Sequence, residues 1–114
     1  MHEYTITCEI IRIAEKHAKA DGASKVKKIA LVVGDDASYC SDSIQMYFDV
    51  IARHTLCSEA KIDIERVKPM LKCMKCGSLF ERSIDSFYCD LCKGIGCPTD
   101  IGKEFYIRFI EVED

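Results

Sequence analysis

No apolar run in this 114-residue sequence approaches the roughly 20 residues that a membrane-spanning helix needs. The first residues do not form the apolar stretch of a secretory leader, because Glu3, Glu9, Arg12 and Glu15 interrupt it. Positive charge is not in excess: 16 Lys and Arg face 19 Asp and Glu, a formal net charge of −3. A general DNA or RNA binder draws its affinity from cationic contacts to phosphate, so this balance argues against nucleic acid as a partner. The sequence shows no Gly-rich phosphate loop, no Ser/His/Asp set, no low-complexity tract and no repeat beyond a paired Cys motif. With 48% hydrophobic and 31% charged residues the composition is globular and not disordered. The expectation is one compact domain, or one domain plus a small module, residing in the cytosol.

Cysteine is what the sequence has in abundance, eight residues in 114. In a secreted chain that number would suggest a disulfide framework. Without a leader the thiols stay reduced, and pairs of them suggest metal.

Hydrophobic periodicity outlines the rest. Tyr4 to Ala20 reads as a helix, with Ile6, Ile10, Ile13, Ala14 and His17 on one face and Asp21-Gly22 as its stop. Lys25 to Val33 reads as a strand whose continuously apolar tail is suited to burial on both faces. Ser41 to Thr55 is a second helix, with Ile44, Tyr47, Phe48 and Ile51 as its apolar stripe. Ala60 to Val67 and Phe105 to Val112 are strands, the second with Phe105, Ile107 and Phe109 on one face and Tyr106, Arg108 and Ile110 on the other. The expected fold is α+β: two helices on one face of a small, mainly antiparallel three-stranded sheet.

Residues 69–104 differ in texture. They hold five of the eight cysteines, four of the six glycines and both prolines, with no helical period. They read as a module inserted into a main domain made of residues 1–68 plus 105–114. Within it, Cys73-Met-Lys-Cys76 and Cys89-Asp-Leu-Cys92 are separated by twelve residues, the spacing of a zinc ribbon. Four thiolates fill the zinc tetrahedron and leave no position for water, so this metal is expected to be structural. About 36 residues bury too little apolar surface to fold alone, and metal binding worth roughly 10–16 kcal/mol supplies the difference. Iron in the same site and a dithiol redox pair are the rival readings. Cys97, five residues beyond Cys92, has the reach to replace it. The module carries five basic and five acidic residues and is neutral, which weakens a nucleic-acid role for the ribbon.

The sequence begins Met1-His2-Glu3. The plain reading is an initiator and two polar residues. The chemical reading is a chelate: the Met1 α-amine, a deprotonatable amide and the imidazole of a second-position His form fused rings around a planar d⁸ or d⁹ ion, Ni²⁺ or Cu²⁺. His17 and His54 lie in helices, where histidine is more often a polar side chain than a ligand. Cys8, Cys40 and Cys57 are expected to behave as small hydrophobes, with Cys40, in its loop, the one to test against nickel.

Met-His-Glu-Tyr at the start, the helix-strand-helix-strand order, the two CxxC pairs and the closing stretch from Gly102 to Glu113 together resemble the hydrogenase-maturation nickel metallochaperone family (HypA/HybF) over essentially the full length. That resemblance implies a carrier and not an enzyme, with a nickel-binding α/β domain and a zinc ribbon. It implies His2 as nickel ligand, with Glu3 supplying a neighbouring backbone nitrogen. It implies Cys73, Cys76, Cys89 and Cys92 as zinc ligands. The implied partners are a nickel-handling GTPase, the precursor of the [NiFe]-hydrogenase large subunit and, in some members, urease maturation proteins. Monomer and dimer both remain open. The sequence departs from the family's usual pattern at Gly34 to Cys40 and at the second knuckle, which lacks the common Cys-Pro-x-Cys-Gly. The alternative function is a zinc-ribbon module that binds protein or RNA without transferring nickel.

Overall fold

The computed structural model describes residues 2–82 and 86–114. The order of elements is α1 (Glu3–Ala20), β1 (Lys25–Gly34), α2 (Ser41–Ile51) with a 3₁₀ turn (Ala52–His54), β2 (Lys61–Val67), β3 (Met70–Cys73), β4 (Leu79–Glu81), β5 (Gly96–Pro98) and β6 (Phe105–Glu113). Two three-stranded sheets result, β2-β1-β6 and β4-β3-β5. The molecule is elongated, 55 × 26 × 16 Å.

Helix α1 ends as its sequence dictates. Gly22 takes φ +70, the Gly22 N–H reaches the Lys19 carbonyl at 3.1 Å and the Ala23 N–H reaches the Ala18 carbonyl at 2.9 Å. This is a Schellman closure, which favours glycine at that position. The buried face of α1 is rotated from the one its isoleucines suggest. It runs through Glu3, Thr7, Ile10, Ile11, Ala14 and Ala18, while Ile13 is 37% exposed and His17 lies in solvent. Thr7 can occupy the buried face because its hydroxyl bonds the Glu3 carbonyl one turn back. Small Ala14 and Ala18 then let the helix lie close to its neighbours.

β1 is the central strand and is buried along most of its length. Ile29, Leu31 and Val33 join Ile10, Ile44 and Phe48 in the core beneath the helices. The sheet is mixed. β1 runs parallel to β2, because α2 carries the chain back between them, and antiparallel to β6. β6 is bulged at Arg108: Ala30 faces Phe109 and Leu31 faces Ile107. The extra residue switches the alternation. Phe105, Ile107, Ile110 and Val112 pack on the core, and Phe109 turns outward with Tyr106. A strict period of two cannot anticipate this.

The second sheet belongs to the ribbon segment, which leaves the end of β2 and returns as β6. Both crossings pass Gly34. Its N–H reaches the Glu104 carbonyl at 2.7 Å, and a Cβ on it would fall 2.0 Å from the Gly102 carbonyl oxygen. Gly102 itself has φ +105 and sits against Pro69. No side chain fits between these backbones. Gly34→Ala is expected to destabilise the chain by about 3 kcal/mol or more, the upper end of overpacking costs, read as a fall in the urea midpoint.

Candidate metal sites

The strongest concentration of ligand atoms is in the ribbon. The sulfurs of Cys73, Cys76, Cys89 and Cys92 all lie within 4.8 Å of one another, and they form the one group of this kind among the described residues. Cys73 Sγ and Cys92 Sγ are 3.3 Å apart, and Cys76 Sγ and Cys89 Sγ are 3.8 Å apart. A zinc ion with bonds of about 2.3 Å at tetrahedral angles requires sulfurs about 3.8 Å apart. The donor set and its spacing therefore fit a structural zinc. Cys97 is exposed on β5, in register with Lys72, and stands outside this cluster.

The two knuckles are built alike. The Cys73 N–H bonds the Ser78 carbonyl and the Cys89 N–H bonds the Gly94 carbonyl, each at 2.8 Å and each five residues on. Gly77 (φ +77) turns the first knuckle, and Lys93 (φ +64) turns the second. The N–H groups of Cys76 and Lys75 both point at the Cys73 sulfur from 3.4 Å and favour its thiolate. Gly94 lies so close that a Cβ there would sit 2.8 Å from Lys75 Cβ and 2.9 Å from Cys73 Sγ. Sequence reasoning passes over Ser78 and Gly94. The only signal available for them is that each lies two residues beyond the second Cys of its pair.

The thiols are electrostatically unequal. Ser78, through its hydroxyl 3.1 Å away and its backbone, brings Cys76 down to about 6. At Cys92 the Gly94 N–H pulls down, but Cys73, burial, Cys76 and Cys89 together push the thiol up to about 11. The cluster thus loses one proton readily and holds another tightly, because charge accumulates in one place. A divalent cation removes that penalty.

The second candidate is the N-terminal end of α1. His2 is exposed and precedes the helix. Glu3 is buried, 6% exposed, and its carboxylate accepts the Cys40 N–H at 3.1 Å. The expectation for the Met1 amine falls outside the described residues. An open cleft of about 430 Å³ lies alongside, lined by Glu3, Asp35, Cys40, Ser41, Asp42 and Arg66 among others. Cys40 does not behave as a small hydrophobe. It is exposed at the start of α2, where the Ser43 N–H, the Ser43 hydroxyl and the Asp42 N–H lower its thiol from the ordinary value. Cys57 is fully buried, and burial with nearby Glu15 raises it to about 11; Cys8 is half-buried. His17 and His54 both project into solvent and join no ligand cluster.

A sequence-family profile described as hydrogenase/urease nickel incorporation, metallochaperone, HypA, matches residues 1–112. The chain belongs to the HypA family. The Hydrogenase maturation factor HypA of Caldanaerobacter subterraneus subsp. tengcongensis is 37% identical over 114 residues, covering 99% of this chain and 100% of that one. The factor of the same name from Dehalococcoides mccartyi is 32% identical, covering 100% of this chain and 96% of that one. The solution structure of the Ni metallochaperone HypA from Helicobacter pylori aligns at a TM-score of 0.65 and 26% identity, covering 99% of this chain and 98% of that one. A further solution structure, of a HypA protein, aligns at a TM-score of 0.68 and 25% identity, covering 98% of this chain and 96% of that one. As a HypA protein the chain is a nickel metallochaperone of hydrogenase maturation, and it is not an enzyme. No helix among its described residues is long and apolar enough to cross a membrane.

Because bound thiols must shed their protons, zinc affinity is expected to fall as pH falls. Ser78 holds Cys76 below the ordinary thiol range, to about 6, so zinc displaces that proton in acid but largely finds it gone near neutrality. The slope of log affinity against pH should therefore steepen by about one between pH 7 and pH 5. Competition with a chromophoric chelator measures this. Ser78→Ala, which removes the hydroxyl beside Cys76, should move the steepening to higher pH.

Proposed function

We propose that this chain binds Ni²⁺ at its N-terminus and delivers it to the precursor of the [NiFe]-hydrogenase large subunit. The donors are the His2 imidazole and the backbone nitrogen of Glu3, with the Met1 amine as a further ligand. The observation that carries this reading is the contrast between two adjacent residues. His2 is exposed, whereas Glu3 is buried and gripped by the Cys40 N–H. A ligand set with one fixed wall and one open side suits cargo that must be taken up and surrendered. Its nitrogens must be deprotonated to bind, so acid releases the ion.

Zinc is held by Cys73, Cys76, Cys89 and Cys92 as a closed structural centre. When bound, it supplies charge neutralisation and shape to the ribbon, and its filled coordination leaves no site for a reactant. Residues 69–104 form this ribbon, and residues 1–68 with 105–114 form the nickel-carrying domain. The partners are a nickel-handling GTPase and the hydrogenase precursor, with urease maturation proteins as a further class of recipient. All of these act in the cytoplasm.

The test is a nickel titration of untagged, zinc-loaded protein, by absorbance and calorimetry, beside His2→Ala and a variant with one residue added before Met1. The expected result is about one nickel per chain in the parent and at least a tenfold loss of affinity in both variants, with zinc content unchanged. Equal nickel binding in all three would place the cargo elsewhere. Absence of nickel binding in the parent would leave a zinc-ribbon interaction module.

A further inference from the structure

Residues 34–40, which join β1 to α2, are tied from two sides. On the ribbon side, Arg82 grips Asp36 in a two-pronged contact, Nη1 to Oδ2 at 3.1 Å and Nη2 to Oδ1 at 3.0 Å. The Asp36 N–H also donates to the Gly102 carbonyl at 2.7 Å. Tyr39 packs on Phe105, the first residue after the ribbon, with ring centroids 4.4 Å apart. On the opposite side, the Cys40 N–H is held by the Glu3 carboxylate at 3.1 Å. Three residues therefore separate a contact made by the ribbon from a contact made by the N-terminal segment.

A planar guanidinium meeting a carboxylate with two parallel bonds fixes orientation as well as distance. The pair is half-exposed, with side-chain exposures of 41% and 33%, so its worth is geometric and is screened by salt. Asp35 is separately occupied by Arg66, whose Nε lies 3.0 Å from its carboxylate, so Asp36 is the acidic side chain of this loop that faces the ribbon.

We infer that Arg82 is a positioning residue for the N-terminal metal site: by holding Asp36 it sets the path of residues 34–40, and so the place at which the Cys40 N–H meets Glu3. This inference rests on the N-terminus as the nickel site. Arg82 touches no metal donor. Its effect runs through a short, multiply anchored loop, the kind of contiguous packed route over which single contacts shift a distant equilibrium by a few-fold to tens of fold.

The test uses the full-length, untagged, zinc-loaded chain and the variants Arg82→Gln, Asp36→Asn, both together, and the charge-exchanged pair Asp36→Arg with Arg82→Asp. Two quantities are read: hydrogen exchange of the Cys40 amide in nickel-free protein, and nickel affinity by chelator competition, with His2→Ala as control. The expected result is Cys40 exchange faster by about tenfold and nickel affinity weaker by about threefold to tenfold in each single variant. The double neutral variant should be no worse than either single one, and the exchanged pair should recover part of both effects. Zinc content and the unfolding midpoint should stay near those of the parent. Cys40 exchange within twofold of the parent in Arg82→Gln overturns the inference, and so does faster exchange with unchanged nickel affinity. Retention of nickel by His2→Ala would instead overturn the N-terminal assignment, and this inference with it. Loss of nickel in His2→Ala beside unchanged Arg82→Gln would overturn this inference alone.

Discussion

Four sulfurs gathered within 4.8 Å cannot all carry charge unless a cation stands between them. Everything about the ribbon follows from that constraint. Among the described residues of the ribbon, Leu71, Cys73 and Cys89 are the buried hydrophobic side chains, and two of those three are members of the cluster. The backbone is spent on the sulfurs as well: N–H groups aimed at Cys73, two matched closures, a residue with positive φ in each turn, and a glycine where a methyl would strike the cluster. The segment has thus exchanged an oily interior for an ionic one, and its fold is inseparable from the metal its donor set fits.

The nickel site proposed at the N-terminus obeys the opposite logic. A structural site gains from enclosure, whereas a carrier site gains from access. The helical unit keeps its core under α1 and α2, around Ile29, Leu31, Ile44 and Phe48, and leaves His2 exposed at the rim. Glu3 marks the boundary between the two regimes: its carboxylate is drawn inward to a backbone N–H while the preceding residue stays wet.

Much of this was legible in the sequence because it depends on local chemistry. The Cys73-Cys76 and Cys89-Cys92 pairs declare their purpose by spacing alone, and Asp21-Gly22 declares a helix end. Ile44 and Phe48 lie under α2 as their period indicates. The family could be recognised because its motifs sit at both ends and in the middle of the chain. What escaped depends on tertiary partners. The face of α1 turned because Thr7 found its own hydrogen bond and alanines packed closer than isoleucines could. The faces of β6 reversed past Arg108 because a bulge inserts a residue that no alternation rule counts. The parallel pairing of β1 with β2 depends on where α2 returns the chain. Cys40 is exposed just before α2, and its contact with Glu3, 37 residues earlier, exists only in the fold. In sequence Arg82 is indistinguishable from other surface cations; its two-pronged contact with Asp36 exists only in the fold.

The pairing at the end of β1 has a topological consequence. Gly34 lies opposite Val67 on one side, and Val33 lies opposite Phe105 on the other. The segment between them departs and returns one strand to each side of β1, a gap of about 10 Å. A handful of residues bridges such a gap, so the three-stranded scaffold closes in principle without anything hung from it. Geometrically, the metal-bearing segment thus hangs from the sheet at a single seam at the end of β1. Gly34 and Gly102 are the residues that keep that seam thin.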